Sequence, residues 1–287
     1  MFRPLTKALL LFILINVTAA CSYSPNKLKE IYNELPTELA SDIKESVDLT
    51  PAQSRMVDDY AEQLGQWHRH NKLPQYSHYF AKLAQLAKQE TPALPPLQQI
   101  LAQMGEMPHF EQAKHLSPKM AAVGRSLNND QISQLEKSLN NEYKEELAEI
   151  NNNSLATSLK KDLIMMLRLI DIKLSTKQLK VLNTEVKHYH DIRHAELTAE
   201  RKLDQQLISV LKSHDDPQFV PRFVSIWNNS TPRLSATNTQ KQQQNRQTDA
   251  VLMQKLIMSF DTKQKQNLAD KLLSISQTFS ELANESN

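Results

Sequence analysis

Four stretches of this chain follow one recipe: Leu49-Thr50-Pro51-Ala52-Gln53, Leu127-Asn128-Asn129-Asp130-Gln131, Leu174-Ser175-Thr176-Lys177-Gln178 and Phe260-Asp261-Thr262-Lys263-Gln264. Each has an apolar residue, a residue whose side-chain oxygen can accept an orphan backbone N–H, two more residues, and then glutamine. The spacing predicts four capping boxes. Thr50, Asn128, Ser175 and Asp261 are the N-caps, and Gln53, Gln131, Gln178 and Gln264 reach back from the third helical position. Apolar stripes at helical steps follow, such as Met56, Tyr60, Leu64 and Trp67 behind the first start and Leu268, Leu272, Ile275, Phe279 and Leu282 behind the last. The copies lie 78, 47 and 86 residues apart, which excludes a fixed-period solenoid.

With only 3 Gly in 287 residues, the turn-rich strands of a sandwich, a barrel or a phosphate-cradling α/β fold have little to turn with. The expected fold is all-α: an elongated or curved array of antiparallel helical hairpins forming a single domain. A leading helix over 26–47 is broken at Pro36. The helix that starts at Thr50 ends at Leu73-Pro74, and Tyr76, Tyr79, Phe80, Leu83 and Leu86 then form a second helix folding back over it. Leu155 to Ile172, with Met165 and Met166, reads as a central helix wrapped by others. Ser117 before Pro118 repeats the cap logic of Thr50-Pro51. Residues 235–248 carry no apolar stripe and read as a polar linker, between a main helical domain over 49–234 and a C-terminal helical pair over 249–287 that packs on it.

The first 20 residues have the layout of a secretory signal: Arg3 and Lys7, an apolar run from Ala8 to Ile15, and small residues before Cys21. They hold two basic and no acidic residues, so their removal leaves 32 Lys+Arg against 32 Asp+Glu, and a neutral chain gives no support for nucleic-acid binding. Cys21 is the only cysteine, so no intrachain disulfide can form. Val17 to Cys21 resembles a bacterial lipobox, which implies acylation of Cys21, with residues 21–48 forming the anchor and leading helix. By resemblance to Gram-negative lipoproteins, Ser22 after the cysteine implies the inner leaflet of the outer membrane, with the chain facing the periplasm. The alternative is simple cleavage that leaves an unlipidated Cys21.

The core from Leu49 to Tyr76, with Trp67-His68-Arg69 and Leu73-Pro74-Gln75-Tyr76, resembles a family of proteobacterial lipoproteins known as domain of unknown function 6279. The Tyr32-Asn33 pair and the later starts at Leu127 and Leu174 fit the same pattern in order. The resemblance implies architecture and location but no reaction. Leu49-Thr50-x-x-Gln53 is also similar to the LTxxQ motif of the Spy and CpxP periplasmic chaperones, small helical proteins that shield unfolded clients.

No motif carries catalytic chemistry, and the chain is expected to be a non-enzyme without cofactor or metal. His188, His190 and His194 are the one arrangement that suggests a metal-assisted hydrolase, because imidazoles at i and i+4 of a helix can share zinc. HYHDIRH lacks the HExxH layout, however, and a solvated face explains it as well. His68 and His70 suit a solvated helix end. Trp67, His68, Arg69, Tyr76, Tyr79 and Phe80 are the candidate partner-binding residues, although the aromatic ones serve equally as a hairpin core. The expected role is a lipid-anchored protein that binds envelope proteins or unfolded clients, or else a structural tether for one fixed complex.

Overall fold

The structure, a computed structural model, describes residues 24–105 and 113–285. Among these, twelve α-helices and no strands occur. They are α1 (Pro25–Ser46), α2 (Pro51–Asn71), α3 (Leu73–Ala87), α4 (Leu94–Gly105), α5 (Ser117–Ser126), α6 (Asn129–Asn152), α7 (Leu155–Leu169), α8 (Thr176–Glu185), α9 (Arg193–Leu211), α10 (Phe219–Asn228), α11 (Ala236–Ser259) and α12 (Thr262–Asn284). Short 3-10 turns precede α5 and follow α8. The chain is the all-α multi-helix domain that its capping pattern predicts.

The helices fall into two halves of six that exchange their ends. Helices with a capping box open at the second and last position of each half: α2 and α6 in the first, α8 and α12 in the second. The last helix of each half packs on the third helix of the other. Thus α12 runs antiparallel to α3, with Tyr76 beside Phe279 and Lys265 reaching the Gln89 carbonyl. In the matching position α6 runs antiparallel to α9, with Asn140 beside Arg201 and Glu136 beside Lys212. The fifth and fourth helices also cross over: α11 packs on α4, and α5 on α10, where Gly124 lets Phe219 and Phe223 approach.

The largest core joins α1, α2, α5, α6, α9 and α10 around Tyr60, Leu64, Met120, Phe223 and Trp227. A second core joins α7, α8, α11 and α12 around Leu182, Leu256 and Leu268. Leu28, Tyr32, Leu73, Tyr76, Phe279 and Leu282 close the corner where α1, α3 and α12 meet. Burial of roughly a dozen large side chains at about 1.5–3 kcal/mol each is the force that holds such crossings together.

Several local expectations are corrected by this packing. α1 passes through Pro36 unbroken, because the proline ring lies over Gly65 of α2. α3 does not fold back over α2; α2 pairs with α1, and the apolar face of α3 is taken by α12, about 200 residues later in sequence. α7 is not central. Leu167 is buried, but Leu155, Leu159, Leu163, Ile164 and Met165 are only half-covered and Met166 is exposed. Ser117 does not cap α5; its hydroxyl donates to the Lys114 carbonyl at 2.6 Å.

Residues 235–248 are not a linker but the front half of α11. That half is polar on every side, and tertiary hydrogen bonds compensate. Ser235 caps it, Gln242 donates to Glu196 at 3.1 Å, and the Asn245 side chain bonds both the N–H and the carbonyl of His190 at 2.8 and 2.9 Å.

Candidate functional site: paired helix starts and an aromatic corner

All four capping boxes form. At the first, the Thr50 N–H donates to Gln53 Oε1 at 2.8 Å while the Gln53 N–H donates to Thr50 Oγ1 at 3.3 Å. Asn128 with Gln131, Ser175 with Gln178 and Asp261 with Gln264 repeat the arrangement.

The glutamines do more than cap. Gln53 and Gln131 face each other, each Nε2 donating to the other's Oε1 at 3.0 and 2.8 Å. The second N–H of Gln53 goes to the Ser126 carbonyl and that of Gln131 to the Asp48 carbonyl, both at 2.7 Å. Each carbonyl belongs to the residue two before the partner's N-cap. Gln178 and Gln264 repeat this, with mutual bonds at 2.6 and 3.2 Å and further bonds to the Ser259 and Lys173 carbonyls at 2.9 and 3.0 Å.

The serine hydroxyls at the equivalent positions also agree. Ser126 and Ser259 donate to the carbonyl three residues back, at 2.7 Å in both cases. Two helix N-termini, each with a partial positive charge and orphan donors, therefore meet through neutral amides whose hydrogen-bonding capacity is fully used. These are joints that fix one helix pair against another.

Of the candidate partner-binding residues, all but Trp67 gather where α1, α2, α3 and α12 meet. His68 is buried rather than at a wet helix end, and its Nδ1 lies 2.9 Å from Tyr32 Oη. Its ring also packs 5.8 Å from that of Tyr76. Burial, with Lys72 beside it, pushes the His68 pKa down to about 3, and burial pushes Tyr76 up to about 12 and Tyr32 further. The corner is thus a neutral, aromatic plug.

Arg69 lies over the Tyr32 ring at 5.4 Å, donates to Asn33 Oδ1 at 2.7 Å, and reaches Glu285 and the Leu282 carbonyl at 3.4 Å. Lys29 bridges Glu281 and Glu285 at 2.9 Å. Both cations tie the end of α12 to α1 and α2. Phe80 packs 5.7 Å from Phe279, Tyr79 and Phe80 are half-buried, and Trp67 is half-buried against the main core with Lys72 Nζ 5.6 Å from its ring. These aromatic side chains serve the core more than a surface groove.

The three histidines proposed for metal do not share a helix face. His188 ends a 3-10 turn, His190 precedes α9, and His194 lies inside it, all exposed. Among the described residues, no group of three or more His, Cys, Asp or Glu is placed to hold a metal ion. Cys21 and the signal segment lie outside the described residues. No helix among the described residues is long and apolar enough to cross a membrane.

Consecutive copies, at unequal spacings, give no hint of the second role of the glutamines. Compared alternately, Gln53 to Gln178 is 125 residues and Gln131 to Gln264 is 133, and Ser126 recurs as Ser259. That near-equal spacing was the available signal for two halves.

A family model described as a family of unknown function, DUF6279, matches residues 45–232, well over half of the chain, and the chain belongs to that family. No curated protein and no solved structure matches it.

Proposed function

We propose that this member of the DUF6279 family is a periplasm-facing lipoprotein, held in the outer membrane through acylated Cys21, that acts without catalysis by binding envelope proteins or their unfolded segments. The observation that supports this most is α7. It has the most apolar run of residues after the signal segment, yet its Leu155, Leu159, Leu163, Ile164 and Met165 are only half-covered and Met166 is 38 % exposed. Methionine-rich surfaces adapt to many partners because the unbranched thioether repacks easily. The paired glutamine joints give such a surface a rigid base, and the resemblance of the helix starts to LTxxQ chaperone motifs points the same way.

The anchor adds an orientation. α1 begins at Pro25, four residues after Cys21, and four extended residues span at most roughly 15 Å. An acylated Cys21 would hold the corner of α1, α3 and α12 near the bilayer and leave more distant helices for partners.

A photo-crosslinking residue at Met166 in living cells, followed by identification of captured proteins, tests the reading. Capture of many envelope proteins, increasing under heat, is expected. One constant partner would instead favour a structural tether. No capture, together with no slowing of the aggregation of a denatured outer-membrane protein by the purified chain, would end the binding reading.

A further inference from the structure

The two halves differ where their exchanged helices dock. Counted from the capping glutamines, Glu136 of α6 and Ala269 of α12 share one step, and Tyr143 and Ser276 share another. Against α3, α12 presents the small side chains. Ala269 and Ala87 are fully buried in one cluster, and Ser276 Oγ lies 3.2 Å from Ser77 Oγ. Against α9, the same steps of α6 carry Glu136, paired with Lys212 at 2.6 Å, and Tyr143, with the Arg201 guanidinium 5.3 Å from its ring. Where α12 has alanine and serine, α6 has Glu136 and Tyr143, and a cleft of about 270 Å³ lies between α6 and α9.

The cleft follows one face of α9. Arg201, Asp204, Ile208 and Lys212 line it at helical steps, spanning about 16 Å at 1.5 Å per residue, and Glu136 forms the facing wall. Asp204 is buried, whereas Gln205 and Ser209 stand exposed at the rim. Arg201 on one wall and Glu136 on the other put opposite charges in the lining, so a ligand of one sign meets repulsion as well as attraction. A dipolar ligand finds a counter-charge at each end.

Arg201 is held by Tyr143 and by Asn140, which orients its fork for a carboxylate. The Glu136–Lys212 pair is exposed, with side chains 40 and 52 % accessible, so it is weak and Glu136 can accept an incoming ammonium group.

The geometry points to a binding site for a short zwitterionic peptide of two or three residues. Its carboxylate sits on Arg201, its ammonium on Glu136 and an aliphatic side chain over Ile208, while Gln205 and Ser209 bond its amides. Three extended residues span about 10 Å, within the roughly 16 Å length of the cleft. This inference stands apart from the envelope-binding reading and needs neither the anchor nor α7.

Amide NMR of the purified mature chain, titrated with tri-alanine, N-acetyl-tri-alanine and tri-alanine amide, tests it. Saturable shifts at Glu136 and over 201–212 are expected with tri-alanine, and each blocked peptide binds about tenfold more weakly or worse. Arg201→Gln and Glu136→Gln each weaken tri-alanine by a similar factor; Glu136 is at the surface, so its variant keeps the fold if Arg201→Gln does not. Absence of shifts in the cleft, or equal binding of all three peptides, would overturn the proposal.

Discussion

A Cβ placed on Gly65 of α2 would lie 2.6 Å from Cγ of Pro36 on α1. The pair explains two residues that are unfavourable in helix interiors when considered singly: the proline ring fills the space that the missing side chain leaves. Gly65→Ala gains about 1 kcal/mol of helix propensity but overpacks by about 1–3 kcal/mol, so a net loss of stability is expected. Pro36→Ala combined with Gly65→Ala removes the clash and both penalties, and urea denaturation should place the double variant above the parent chain.

Gln53→Ala leaves the Gln131 amide and the Ser126 carbonyl short of partners in a buried site. A loss of about 2–3 kcal/mol is expected, and Gln53→Ala with Gln131→Ala should cost clearly less than the sum of the single changes. A double-mutant cycle in denaturant measures this. The Gln178–Gln264 joint, where Gln264 is half-exposed, should show a smaller coupling.

His68 makes stability depend on acid. Its folded pKa of about 3 lies below the unfolded value near 6.5, so the unfolded chain binds the proton more tightly. Stability should fall as pH drops from 6.5 towards 3, by up to about 1.4 kcal/mol per pH unit from this group. Asp42, Asp162 and Asp249, raised by burial, act in the opposite sense at the acid end. In His68→Leu the slope between pH 6.5 and 5 should shrink, as read by denaturant midpoints across that range.

Phe279→Ala tests the exchange of helices between halves. Phe279 is 1 % exposed and packs on Tyr76 and Phe80, residues of the first half. The expected cost is about 3–5 kcal/mol. Hydrogen exchange should show loss of protection in α1 and α3 as well as in α12. Loss confined to α12 would mean that the halves do not depend on each other.

Capping was legible in the sequence residue by residue. Thr50, Asn128, Ser175 and Asp261 take the N-cap position, and each glutamine three residues on reaches back as its spacing requires. Of the candidate site, the residues were legible but their burial was not. His68 follows Trp67 in a polar stretch, and only the approach of α1 and α3 from two sides removes it from water.

Helix starts, apolar faces and the lack of a competing sheet are local properties of the chain, because capping, helical periodicity and glycine content act within a few residues. The choice of packing partners is not local. An apolar stripe attracts any complementary stripe, so nothing local to α3 selects α12 over α2, or lets the polar front of α11 stay helical. Those choices depend on contacts summed over distant segments: Phe279 against Tyr76, Gln131 against Gln53, and Asn245 against His190.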